Sequence, residues 1–291
     1  MIRTQSLLKT LIFSHAVFAV ILSVPCTASA AVVAATDFND VTGGGATLIP
    51  QGGGTGWSTT WLSTAALDSN GPNNVLVTTV GSNNREEILT TAGNGGVAYR
   101  GLTSPLVDSA SNTFYIHFDA QNLNDGLRFW GISLFSGTTE RFLIGQGSGF
   151  THWTINNTTT TSNSLSTAGT VETSIDSSNQ TNLLVKITFG GFGSPETIKL
   201  WLNPNYSVSE NDPANNAAVV GTYTSALDWS SIDRLRIGSG NNSGANGYVA
   251  HWIDNLAIEN STPFVPEPAS GTLVLLGILG LNTVRTRSSR F

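Results

Sequence analysis

Cysteine is almost missing from this 291-residue chain: there is one, Cys26. Ser23, Val24 and Pro25 precede it. A lipobox places Leu three residues ahead of the cysteine and Gly or Ala directly ahead, so Pro25 disfavours acylation. Cleavage after Ala30 leaves a chain with no thiol, which excludes a disulfide framework and thiolate chemistry and leaves stability to an ordinary core. Charge is also scarce, at 11% of residues against roughly 25% in typical globular proteins. From Ala31 to Phe264, eight basic residues face eighteen acidic ones, an excess of ten negative charges. Nucleic acid is excluded as a partner, because phosphate neutralisation supplies most of that affinity and no basic stripe exists. No long segment repeats apolar residues at helical spacing, and no internal repeat is visible.

Several catalytic signatures are missing too. Glycan hydrolases on β-sandwiches use carboxylates at a spacing such as Glu-x-Asp-x-x-Glu, which brings acid and nucleophile about 5 Å apart. The nearest clusters are Glu86-Glu87, whose side chains would point to opposite faces of a strand, and Glu210-Asn211-Asp212 in a turn. Both read as solvated surface. His117, His152 and His251 follow no zinc spacing. Gly145-Gln146-Gly147-Ser148-Gly149 misses the nucleophile-elbow positions and reads as a turn. The glycine runs at 43–45 and 52–54 lack a following helix and Lys, which excludes a phosphate loop. These absences predict a protein that is not an enzyme.

What is present begins at the two ends. Arg3 and Lys9 precede an apolar run from Leu11 to Val24, then Pro25 and Thr27-Ala28-Ser29-Ala30. That order of basic, apolar and small residues predicts a secretory signal over residues 1–30. As a helix the apolar run would span about 21 Å, short of the roughly 30 Å bilayer core. At the other end stand Val265-Pro266-Glu267-Pro268-Ala269-Ser270, an apolar run from Gly271 to Leu281, and Arg285, Arg287 and Arg290. The prolines fix φ and hold the Glu267 peptide extended. Residues 269–284 would span about 24 Å as a transmembrane helix. The arginines, interspersed with Thr286, Ser288 and Ser289, form a cytoplasmic stop.

This tail resembles the PEP-CTERM sorting signal. The resemblance implies that an exosortase in the inner membrane of a Gram-negative bacterium recognises Pro266-Glu267-Pro268. Cleavage nearby would pass the domain, transiently anchored, to the cell surface or extracellular matrix, in systems that accompany exopolysaccharide production. The expected organisation is a signal peptide (1–30), one exported domain (31–260), a linker with the sorting tripeptide (261–268) and a membrane helix with basic tail (269–291).

Within the exported part, apolar residues alternate with polar ones. Phe114, Ile116 and Phe118 form one series, Leu183 to Phe189 a second, and Ile198 to Leu202 a third. Further strands are expected at Asn74–Val80, Leu127–Phe135, Thr139–Ile144, Phe150–Ile155, Ile232–Ile237 and Gly247–Ile258, separated by Gly, Asn and Pro clusters. Thr158 to Asp176 reads as a long loop or hairpin. Many short strands without helices predict an all-β antiparallel sandwich. The pair ending Leu200-Trp201-Leu202-Asn203-Pro204, the closing His251–Ile258 and the opening Ala35-Thr36-Asp37-Phe38 resemble concanavalin A-like (laminin-G-like) jelly rolls. That resemblance implies pairing of first and last strands, and one structural Ca²⁺ there on Asp37 and Asp254, hard oxygen ligands of the kind calcium prefers.

All seven tryptophans lie in the exported part. Exposed indoles stack on sugar rings while polar neighbours bond the hydroxyls. Arg128-Phe129-Trp130 and Phe150-Thr151-His152-Trp153 have that composition, so Arg128, Trp130, His152 and Trp153 are the candidate ligand contacts. The expected function is non-enzymatic binding of extracellular polysaccharide. The alternatives are a structural or adhesive protein that binds proteins or itself, and a divergent glycan lyase or hydrolase.

Overall fold

A computed structural model describes residues 31–62, 75–88, 96–124, 127–157, 170–217, 219–223, 231–240 and 250–264. The expected signal peptide, the Pro266-Glu267-Pro268 motif, the membrane helix and Arg285, Arg287 and Arg290 lie outside them. Among the described residues no helix is long and apolar enough to cross a membrane.

The strands are, in chain order, β1 (Val32–Thr36), β2 (Ala46–Thr47), β3 (Val75–Val80), β4 (Asn83–Ile88) and β5 (Val97–Val107). They continue with β6 (Thr113–Asn122), β7 (Trp130–Ser136), β8 (Thr139–Gln146), β9 (His152–Asn157) and β10 (Thr170–Asp176). The series ends with β11 (Thr181–Thr188), β12 (Glu196–Leu202), β13 (Val219–Tyr223), β14 (Ser231–Ser239) and β15 (His251–Glu259). The helical content of the described residues is one 3-10 turn, Pro213–Asn215, capped by Asp212. The predicted all-β antiparallel architecture is what the described residues adopt.

Two sheets enclose the core. The larger, nine-stranded sheet runs β13-β12-β11-β6-β15-β4-β3-β2, with β1 also on β15; the smaller runs β10-β9-β8-β7-β14-β5. Alternation explains the central strands. Ile116, Phe118 and Ala120 of β6 are fully buried while His117 and Asp119 between them are not, and β11 matches them residue for residue, Leu183 on Phe118 and Val185 on Ile116. Each such buried aliphatic or aromatic side chain contributes about 1.5–3 kcal/mol.

Four strands, β2, β4, β5 and β13, were not anticipated. β4 reads Asn-Asn-Arg-Glu-Glu-Ile and has no strand propensity of its own, yet β3 and β15 pair with it from both sides. β5 carries Gly101 and Pro105, which suits the edge position it holds. β13 pairs with β12 at the far edge of the larger sheet. β10, at the end of the Thr/Ser-rich region, pairs antiparallel with β9, in keeping with the hairpin reading; residues 158–169 lie outside the described part.

The pair Glu86-Glu87 is not the solvated surface expected of it, whereas in the second cluster Asn211 is exposed and Glu210 and Asp212 are half-buried. Glu86 is 0% exposed and Glu87 only 8%, because β4 is enclosed and Glu86 sits opposite Ile253 on the core face. Glu210 is held by Lys186 and Lys199 at 2.8 and 3.0 Å, which closes the 203–217 loop over the outer face of the larger sheet.

Candidate functional site

The last strand has a break in its middle. On one side β15 pairs with β6 along most of its length; on the other, β4 pairs with residues 251–253 and β1 with residues 256–259. Between these partners the register slips: Asp254 faces Asp119, yet Ala257 faces His117, so β15 carries one extra residue. Asn255 absorbs it with φ 52°, a conformation Asn tolerates better than most side chains. A bulge of this kind re-aims side chains at a strand edge.

Here Asp254 donates nothing and accepts twice, from Asn83 Nδ2 at 2.9 Å and from the Asn255 amide at 2.8 Å. Its carboxyl is raised to about 6, first by burial and then by the charges of Asp119 and Asp37, against the lowering pull of the Asn255 amide. Asn255 and Asn182 each bond Asp119 at 2.8 Å, and Asp37 accepts the Asn39 amide at 3.1 Å. Asp37 directly follows β1 and Asp254 lies within β15, where the charge of Asp37 acts on it. A calcium ion takes six to eight oxygens, and at Asp254 the hydrogen bonds from Asn83 and Asn255 would have to give way to it.

Beside this bulge lies an open groove of about 380 Å³. Leu256 and Ala257 are part of its lining, together with Asp37, Thr55, His117 and Asn255. His117 Nε2 stands 3.8 Å from Glu259 Oε1.

One wall of the groove is a segment that laces the two sheets together. Thr55 exchanges backbone bonds with Ala35 of β1. Gly56 accepts the Thr103 amide, Ser58 donates to Gly101, and Leu62 exchanges bonds with Tyr99, all on β5. Glycine makes the close approach feasible: at Gly56, φ 77°, a Cβ would lie 1.8 Å from the Val33 carbonyl oxygen. Trp57 Nε1 donates to the Ala35 carbonyl at 2.9 Å. Arg100 of β5 lies 4.9 Å from the Trp57 ring centre and 5.4 Å from that of Trp61. It donates from Nε to the Thr59 carbonyl at 3.0 Å and from Nη2 to the Gly53 carbonyl. Burial lowers its pKa to about 10, opposed by Asp40. On the far side of the same segment a second cleft, about 330 Å³, is lined by Ser58, Thr59, Leu62, Arg100, Asp233 and Arg234 among others.

The expected sugar platform is corrected by the packing. Trp130 and Trp153 are both 0% exposed. Their rings meet edge to face at 5.2 Å inside the core, and Trp153 Nε1 donates to Thr181 Oγ1 at 3.1 Å. They lie on the inward positions of β7 and β9, so neither offers a face to a ligand. His152 stays at the rim, 2.7 Å from Glu172, and Arg128 is half-buried. The four do not form one surface. The groove residues Asn255 and Thr55, and the cleft residues Arg100 and Arg234, had no motif to mark them; the nearest signal was Asn following Asp254 in the closing strand.

Strand order, pairing and core define the class as an antiparallel two-sheet β-sandwich. No protein-family model matches the chain, and no curated protein matches its sequence. Among solved structures, the chain is similar to the CBM2 module of the evolved Dit of Lactobacillus casei BL23 phage J-1, with TM-score 0.45, 16% identity and coverage of 80% of this chain and 97% of that one. It is also similar to the carbohydrate recognition domain of Emp47p, with TM-score 0.42, 10% identity and coverage of 69% and 100%. The globular domain of T. cruzi calreticulin gives TM-score 0.41, 10% identity and coverage of 69% and 84%.

Proposed function

We propose that the chain is an exported, non-enzymatic protein whose sandwich binds extracellular polysaccharide at the seam between β1 and β15. One observation carries the reading: the groove there combines apolar Ala35 and Ala257 with Asp37, Thr55, His117 and Asn255. A pyranose needs that mixture, an apolar wall for its C–H face and a few fixed acceptors and donors for its hydroxyls. The concanavalin A-like character suggested by the sequence agrees with a first strand laid beside the last. Export and exosortase sorting are the second part of the proposal and rest on the residue order of the two ends.

A glycan array probed with residues 31–264 tests the binding. Retention on one or more polysaccharides, weakened about tenfold by Asn255→Ala, is the expected result; retention on none would remove the glycan role. The raised Asp254 beside Asp119 favours a hydrolase as the second reading, since a carboxyl near 6 suits a general acid. Release of new reducing ends from a bound polysaccharide, abolished in Asp254→Asn, would establish it in place of simple binding.

A further inference from the structure

Six large apolar side chains are exposed among the described residues, and four gather at one end of the sandwich: Val32 at 51%, Val80 at 53%, Val107 at 50% and Phe192 at 83%. Strand register fixes that placement. β6 starts there at Thr113, opposite Thr188, which stands just before the 189–195 turn that carries Phe192. Glu259, closing β15, lies opposite both Tyr115 of β6 and Val32 of β1. Val107 ends β5 just before the loop into β6, and Val80 ends β3 at the turn into β4, which runs antiparallel to β15. The 136–139 turn is there too, since Val107 lies opposite Ser231 and Phe135 opposite Arg234. The turn around Phe192 is fixed: Gly191 donates to Asp108 Oδ1 at 3.0 Å and Ser194 to the Gly191 carbonyl at 2.8 Å. A phenyl ring held in water by a rigid turn does nothing for the fold. Across residues 80–82, 107–112, 136–139 and 189–195 the one charged residue is Asp108, the acceptor of that Gly191 bond. This end is thus apolar and almost uncharged in a strongly acidic domain, whereas the outer face of the larger sheet carries Lys186, Lys199 and Glu210.

Both ends of the domain's chain leave from the same place: the Asn260 amide donates to the Ala31 carbonyl at 3.2 Å. From Asn260 the chain turns back over the outer face of the larger sheet, where Phe264 packs on Trp201 and Tyr206 at 5.3 and 5.7 Å. Trp201 pairs with Leu184, four residues short of Thr188, or about 13 Å from the end. Five extended steps from Phe264 to Ala269 reach at most about 18 Å. A membrane helix beginning at Ala269 therefore leaves two surfaces within reach of the bilayer, this apolar end and the charged outer face. We propose that the apolar end rests on the bilayer while the tail is anchored, with Phe192 inserted among the headgroups and Val32 and Val107 beside it. The inference rests on the export and sorting reading, not on the glycan reading, and gives the anchored domain its orientation. The partner is a surface of uncharged lipid headgroups. Apolar side chains supply the adhesion, while the excess of ten negative charges between Ala31 and Phe264 is repelled by anionic lipid.

The test reconstitutes the full-length chain, carrying Cys26→Ser, in phosphatidylcholine vesicles and places a nitroxide label at Phe192→Cys, Val107→Cys or Leu123→Cys. Leu123, 42% exposed, follows β6 at the opposite end of the sandwich. All three side chains are exposed, so the substitutions spare the core. Relaxation of each label by oxygen, which concentrates in lipid, is compared with relaxation by a water-soluble nickel chelate. The expected result is that oxygen outweighs nickel at Phe192→Cys and Val107→Cys, most strongly at the former, and that the order reverses at Leu123→Cys. Labels at Phe192→Cys and Leu123→Cys that respond alike, on vesicles that carry the chain, overturn the inference and leave the sorting reading standing. Dipolar broadening between labels at Phe192→Cys overturns it too, and assigns this end to a second copy of the chain. A chain that does not float with the vesicles removes the anchored state and the inference together.

Discussion

Arg100 and Arg236 occupy neighbouring strands of the smaller sheet, one residue out of step, and are used in opposite ways. Arg236 stands opposite Tyr99, and Arg100 opposite Leu235, so the two side chains leave the sheet on opposite faces. Arg236, 1% exposed, is closed by Glu140 at 2.7 Å and Ser133 at 3.0 Å, with Phe129 and Phe135 against its plane. Arg100 is also buried, but lies against two indoles and donates to backbone carbonyls alone, with one nitrogen unpartnered. A buried charge that meets a counter-charge is a structural part. Arg100 meets rings and carbonyls instead, with Asp40 acting on it electrostatically and no direct ion pair among the described residues.

The same contrast recurs around one indole. Gln146 Oε1 accepts Trp130 Nε1 at 3.0 Å, Asn122 Nδ2 at 2.8 Å and Ser177 Oγ at 2.6 Å. On the other side of the core His251 stacks on Trp130 at 4.4 Å, and neither of its ring nitrogens has a partner. Glu86, on the next strand, is likewise fully buried, with no side-chain partner for either oxygen and the Ile253 amide as its neighbour.

The sharpest way to break the Arg236 side of the comparison is Glu140→Ala. It leaves a buried guanidinium without its carboxylate and should cost about 3–5 kcal/mol in denaturant unfolding. A loss below about 1 kcal/mol would mean that Arg236 is no more structural than Arg100.

The unpartnered pair predicts a smaller, pH-dependent effect. His251 protonates at about 3 in the folded chain, through burial alone, against its ordinary 6.5. Between those values the unfolded chain takes the proton first, so its contribution to stability falls as pH drops below 6.5. Glu86 has the opposite sign: burial, then the neighbouring Glu87, raise its carboxyl well above 4.5, against the Ile253 amide and Arg85. Its contribution falls as pH rises past 4.5. Each limb can be as steep as about 1.4 kcal/mol per pH unit. Urea unfolding across the range should show Glu86→Gln gaining on the parent as pH rises, and His251→Phe gaining as it falls. Parallel profiles for parent and variants would show that these groups titrate as they do in the unfolded chain.

The smallest expected effect is none. Because Asn83 and Asn255 cap Asp254, EDTA should leave the melting temperature unchanged near neutral pH. A calcium-dependent rise, lost in Asp254→Asn, would instead assign an ion to the Asp37, Asp119 and Asp254 carboxylates.

The sequence disclosed the strands whose two faces differ. β6, β11 and β12 alternate because one face meets the core and the other does not, and their pairing followed from that. β4 was invisible because its strand character comes from its neighbours: flanked by β3 and β15, even Asn-Asn-Arg-Glu-Glu extends. Trp130 and Trp153 misled for a related reason. Composition gives an indole beside polar residues, but only strand parity says which face it leaves from. The pairing of the first and last strands was legible because both ends of the fold were recognisable. Arg100 was not, since its partners, Trp57, Trp61 and the carbonyls of Gly53 and Thr59, come from a glycine-bearing segment with no period at all.

The break in β15 also sets how the domain would carry force. A ligand held at Asn255 and a tether pulling at residue 264 would load the last strand along its own axis. The load would pass through the covalent backbone of residues 255–264 and spare the hydrogen bonds to β1 and β6, while a pull between Val32 and Glu259, which lie side by side, would open the first and last strands one bond at a time. A sandwich gripped at this seam is therefore strong in the direction in which a bound polymer would drag it.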